Sequence, residues 1–148
     1  MGLWKYSMNK QATWNDCLYS SAAEIIVPDI AKAKSLIKVA KGRVDFIENI
    51  EIIQKSANYI FENYYSSVLE LLHAKLLIDG LKVANHICIA YYLRDNLNES
   101  KLFRQFDNCR YKRNSLIYYG RMMDFNTAKE AIYSSKKLIK NIQNKLLK

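Results

Sequence analysis

Apolar residues recur at spacings of three and four from Pro28 onward, with polar residues between them. This is the helical period. Pro28-Asp29 opens the first helix, since proline is tolerated in a first turn and aspartate accepts the amide hydrogens left unpaired there. Ala33, Leu36, Ile37, Ala40, Val44 and Ile47 continue it as one stripe. A second helix is predicted from about Glu51 to Asp79. Its Ile53, Ile60, Phe61, Tyr64, Val68, Leu71, Leu72 and Leu76 cover more than one face, which suits the centre of a bundle. Gly80 is its expected stop. A third, shorter helix carries Ile87, Ile89, Ala90, Tyr92 and Leu93 and ends near Asn96-Leu97-Asn98. The fourth runs from about Glu99 through Leu102, Phe103, Phe106 and Arg113 to Tyr119, where Gly120 closes it. The fifth starts near Asn126 or Thr127 and sets Ala128, Ala131, Ile132, Ser135, Leu138, Ile139, Ile142 and Leu146 on one stripe. Residues 1–27 are read as an irregular arm, with one weak helix at most, that packs on a helical domain spanning 28–148. The predicted fold is all-α: an antiparallel up-and-down bundle of about five helices with short connections.

Composition narrows the class. The chain has 148 residues, half of them apolar and a quarter charged, which suits one folded domain rather than a disordered chain. No internal repeat or low-complexity linker interrupts it. No secretory signal opens it, Tyr6 stands where a myristoylation motif needs Ser or Thr, and no uncharged apolar run is long enough for a bilayer. No membrane partner is expected. Cys17, Cys88 and Cys109 are odd in number and far apart, so they are expected as packed thiols in a reducing cytoplasm rather than a disulfide framework. Two histidines are too few for a multi-His metal site. His73, set among leucines, reads as a core residue, and His86 beside Asn85 as a local cap. No metal or cofactor is expected.

The charge has a position as well as a size. Residues 1–100 carry 11 Lys/Arg and 11 Asp/Glu, whereas residues 101–148 carry 12 basic residues against Asp107, Asp124 and Glu130. The whole net charge of +9 therefore lies in the last third. A neutral scaffold with one basic segment is the footprint of a nucleic-acid or phosphate binder, and a solubilising lysine surface is the plainer account. Lys112, Arg121, Lys136, Lys137 and Lys140 are the candidate basic face.

Candidate chemistry is concentrated in Arg110-Tyr111-Lys112-Arg113-Asn114-Ser115-Leu116-Ile117-Tyr118-Tyr119-Gly120. Arg110, Asn114 and Tyr118 share a helical face. Arg113 falls on the Phe106 stripe, where a guanidinium is costly unless it is paired or faces a groove. Its planar fork suits phosphate, and Glu70 is a possible structural partner. Arg110, Arg113, Asn114, Tyr118 and Tyr119 are the candidate phosphate or ligand site.

Arg113-Asn114-x-x-x-Tyr118-Tyr119-Gly120 is similar to the Arg-x(4–6)-His signature of the HEPN superfamily, in which Asn often follows Arg. Ser67–Leu77 resembles the family's hydrophobic second helix, and Asp79-Gly80-Leu81-Lys82 with Asn85-His86 resembles its turn into the third. Trp14-Asn15-Asp16-Cys17-Leu18 and Ala33-Lys34-Ser35-Leu36-Ile37 look like the opening of archaeal members. The resemblance implies a bundle of about five helices, usually a homodimer whose Arg motifs meet across a cleft. It implies RNA or nucleotide as ligand and, for many members, a minimal nucleotidyltransferase (MNT) partner in a toxin–antitoxin pair. Some members are modified on a motif tyrosine. Active members are metal-independent endoribonucleases in which His acts on the RNA 2′-hydroxyl and Arg holds the phosphate. Tyr118 stands in the place of that His. A phenol ordinarily titrates near pH 10, about three units too high for proton exchange at neutrality. The reading is a HEPN-like RNA- or nucleotide-binding protein, the toxin-like half of such a module, without strong catalysis. The alternatives are an endoribonuclease using Arg113 and Tyr118, and a structural module that docks a partner protein.

Overall fold

The computed structural model describes residues 12–148, so Trp4 and the first part of the arm lie outside the described residues. Its helices are α1 (Trp14–Tyr19), α2 (Ile30–Glu48), α3 (Ala57–Ile78), α4 (His86–Tyr91, continued by a π turn, Tyr92–Asn96), α5 (Ser100–Tyr119) and α6 (Phe125–Leu146). Two short strands, β1 (Ala23–Ile25) and β2 (Leu81–Val83), complete it.

The centre is α3, as its all-round apolar pattern requires. Phe61, Tyr64, Tyr65, Val68, Leu71, Leu72 and Leu76 are buried along it, and it packs between α2 and α6, with α5 laid against α6. Local chemistry sets the ends. Asp29 accepts from the Lys32 amide and opens α2, while Asp124 accepts from Thr127 and opens α6 slightly ahead of the expected cap. α3 starts at Ala57 rather than near Glu51. The Ser56 hydroxyl accepts from the Ile53 amide and donates to the Glu51 carbonyl, which holds 51–56 in turns.

The arm is more ordered than its sequence suggests. Thr13 and Asp16 form a capping box on α1, the Trp14 amide donates to Asp95 at 2.8 Å, and the Trp14 ring packs on Tyr92. The ribbon was not expected in an all-α chain. It pairs Ala23 with Val83, Glu24 with Lys82 and Ile25 with Leu81, antiparallel. Gly80 makes this possible. Its φ is +75°, and a Cβ there would sit 2.9 Å from the Ile26 carbonyl, whose own amide donates back to Gly80.

The expected set of three unpaired thiols is corrected. The ribbon draws α1 onto α4, and Cys17 and Cys88, 71 positions apart in sequence, form a disulfide with their Cα atoms 6.0 Å apart. Sequence spacing carries no information about such a long-range approach. Only Cys109 is free, buried beside the Ser135 hydroxyl.

Candidate functional site

The last three turns of α5 carry the polar chemistry. Leu102, Phe106 and Cys109 are the buried stripe, and Arg113 continues it one turn on. Arg110, Asn114 and Tyr118 occupy the adjoining flank, which faces the start of α4 across a cleft of about 290 Å³. Ala84, Asn85 and His86 form the opposite wall.

Asn85, not His86, is the cap of α4: its side-chain oxygen accepts from the Cys88 amide at 3.0 Å. His86 is thereby left to face the cleft, half-buried, with Nδ1 3.1 Å from the Tyr65 hydroxyl. Burial above all, then the charges of Arg113, His73 and Arg110, holds the His86 pKa below the usual histidine value. The imidazole is therefore neutral at pH 7. Tyr65 is buried and stacked on Phe106, and burial raises its phenol against the opposing pull of Arg113 and Arg110. It stays protonated.

Arg113 is the unusual group. Its guanidinium lies 5.6 Å from the Tyr65 ring centre and 5.9 Å from that of Tyr118. Its Nε is buried without a hydrogen-bond partner, and no carboxylate pairs with it among the described residues. Glu70, the partner considered above, bonds Arg43 instead, at 3.0 Å. Arg110 is different, since Asp107 accepts from its Nε at 2.9 Å and offsets its charge. Tyr118 is 69% exposed, so its ring is a cleft wall rather than packing. Together these groups present cationic and amide donors, an aromatic surface and a neutral imidazole to one small cleft. They suit an anion attached to something flat.

The remaining candidates lie elsewhere. Tyr119 is 72% exposed at the helix end, beneath the Arg121 guanidinium. Lys136 and Lys140 line a groove between α2 and α6 together with Asp45 and Glu48. Lys137 sits on the opposite flank of α6, beside Tyr133 and facing Gln105 and Asn108 of α5. Lys112 shares that α5 flank by helical spacing. The five expected cations are therefore not one face, because adjacent residues on a helix point about 100° apart. His73 also departs from its expected core role: it lines a groove of about 480 Å³ between α2, α3 and β2, beside Lys32 and Arg43. Sequence reasoning missed the roles of Tyr65 and His86. The only signal was the pairing of a buried-helix tyrosine with a histidine on another element, which no helical period links.

Among the described residues, no group of three or more His, Cys, Asp or Glu is placed to hold a metal, and no helix is long and apolar enough to cross a membrane. No protein-family model, curated protein or solved structure matches the chain.

Proposed function

We propose that the cleft between α4 and α5 binds the phosphate of a nucleotide or RNA. In this reading the chain is a HEPN-like binding protein without strong catalysis, the toxin-like half of a module with a minimal nucleotidyltransferase. One observation carries it: Arg113 is a guanidinium on an apolar stripe, unpaired and with its Nε buried, 5.9 Å from the ring of Tyr118, which lines the cleft. Such a group is costly in the empty protein and is compensated when a phosphate oxygen takes the fork. Arg110 and Asn114 add donors, and the exposed Tyr118 ring offers a base a stacking surface. Homodimerisation through the α5 region is part of the same reading. Phe106 of the expected Phe103, Phe106 and Arg113 stripe is buried within the chain, and the exposed apolar residues there include Ile117 and Tyr119, with Met122 just beyond the helix. Light scattering at micromolar concentration tests it, and a strict monomer would exclude it.

The second reading is a metal-independent endoribonuclease. Its support is His86, which places an imidazole in the cleft although Tyr118 occupies the motif position. His86 would then take the 2′-hydroxyl proton while Arg113 holds the phosphate. Binding and cleavage of short RNAs in EDTA separate the two. The first reading expects wild type to bind without appreciable cutting, Arg113→Ala to lose binding tenfold or more, and Tyr118→His to raise cleavage. Metal-free cutting by wild type that disappears in His86→Asn, or in Tyr118→Phe, establishes an enzyme. Wild type that binds neither RNA nor nucleotide at physiological salt rejects both.

A further inference from the structure

A second flank of α5 faces a cavity of about 220 Å³ between α5 and α6, which adjoins an open groove along α6 at Tyr133 and Ser134; the two together form one depression. Tyr133 is common to both parts, 62% exposed on a helix whose one other aromatic, Phe125, is its first residue. Lys129 and Lys137 stand one turn before and one turn after it, and the Lys137 ammonium lies 5.1 Å from the ring centre. Gln105 and Asn108 supply side-chain amides from α5, and Ser134 a hydroxyl from α6. Glu130 is the one acid in the depression. The Lys129 ammonium rests over Phe125, 4.7 Å from its ring centre, and the Gln105 oxygen accepts from Asn141. An exposed ring with one cation at its face, a second a turn away and the Asn108 amide nearby is what a base and its phosphates would meet.

The depression and the Arg113 cleft lie on either side of one helix. Asn108 and Asn114 are six residues apart, which is roughly 120° around the exposed side of α5 and about 9 Å along it. The ridge between them carries Arg104 and Tyr111, the latter 71% exposed. Asp107 also lies there, but its carboxylate is held by Arg110. A strand a few nucleotides long therefore meets cations or rings continuously from one site to the other. A duplex would not suit this path, because its bases are stacked on each other and cannot reach the tyrosines.

We infer that the α5–α6 depression around Tyr133 is a second base-binding subsite, so that the protein holds single-stranded nucleic acid across α5. The inference rests on the phosphate reading of the Arg113 cleft. Fluorescence anisotropy with labelled dinucleotide, twelve-residue oligouridylate, twelve-residue oligothymidylate and a duplex of equal length tests it. Wild type should bind both single strands more tightly than the duplex. Tyr133→Ala should weaken the twelve-residue strands at least about fivefold, the size of one lost stacked base, and Tyr133→Phe should restore them. Dinucleotide binding, confined to the cleft, should follow Arg113→Ala and ignore Tyr133→Ala. Twelve-residue strands that bind Tyr133→Ala and Lys137→Gln within twofold of wild type, while Arg113→Ala abolishes binding, would overturn the second subsite and leave the cleft standing. Equal displacement by oligoglutamate would show that the surface reads charge alone, which also overturns it. If no probe binds wild type, both readings fall.

Discussion

Arg113 is held by two rings and no acid. A buried donor without a partner costs about 1–3 kcal/mol, while a partly exposed cation–π contact returns about 0.5–1 kcal/mol. The group is thus a net burden on the unliganded fold. Arg113→Met, which keeps an unbranched apolar stem against Tyr65, is expected to hold or raise the melting temperature, by up to about 3 °C, while weakening oligonucleotide binding at least tenfold. Thermal melts and binding isotherms on the same preparation check it, and a large drop in melting temperature would mark Arg113 as structural. The histidines make a separate prediction at this scale. His86 and His73 are both held below the usual histidine value, mainly by burial, with Arg113 acting further on His86 and Lys32 on His73. The unfolded chain takes up these protons near pH 6.5 and the folded chain only lower. Stability is therefore full above about pH 6.5 and falls as pH drops through the folded-state values. Melting temperatures at pH 7.5, 6.5 and 5.5 should decline in wild type, with a flatter slope in a His73→Asn, His86→Asn double variant.

The elements that shape the cleft are its smallest. β1 and β2 are three residues each, yet they set the path of the chain into α4 and so the position of His86. The Cys17–Cys88 disulfide ties the same place, two residues beyond His86. A bridge closing 71 residues contributes roughly 4 kcal/mol in the chain-entropy account. Alkylation of the unfolded protein without reductant is expected to label Cys109 alone, and all three cysteines after reduction. Reduction should lower the melting temperature by about 10 °C. Three labelled cysteines in protein purified under oxidising conditions would remove the bridge from the account.

Across the whole molecule, the basic charge of residues 101–148 is divided by the fold. Lys136 and Lys140 share a groove with Asp45 and Glu48, whereas Lys137 and Lys112 lie toward the α5–α6 side. Oligonucleotide affinity should fall steeply with salt, because each phosphate contact releases counterions. Lys137→Gln should reduce that slope by about one, and Lys136→Gln and Lys140→Gln by less. A slope that is flat from low to physiological salt, or that responds more to Lys140 than to Lys137, would contradict this placement.

The helices were legible because each carries its own period and its own stop. The stripe Ala33–Ile47 is bounded by Pro28-Asp29, and Gly80 and Gly120 both take the left-handed conformation that ends a helix. The shared flank of Arg110, Asn114 and Tyr118 was legible for the same reason, since a helix fixes which positions stand together. The sequence by itself thus determined the bundle, its central helix and one wall of the cleft. Only the tertiary structure decided the rest. The arm was expected to pack on the domain, but the ribbon leaves its apolar Ile25 and Val27 facing outward, because three-residue strands pair through backbone that shows no period. Phe106, on the stripe that Arg113 continues, is wholly buried within the chain. Cys17 with Cys88 and Tyr65 with His86 are pairs from different elements. Their meeting depends on how whole helices pack, and no local spacing records it.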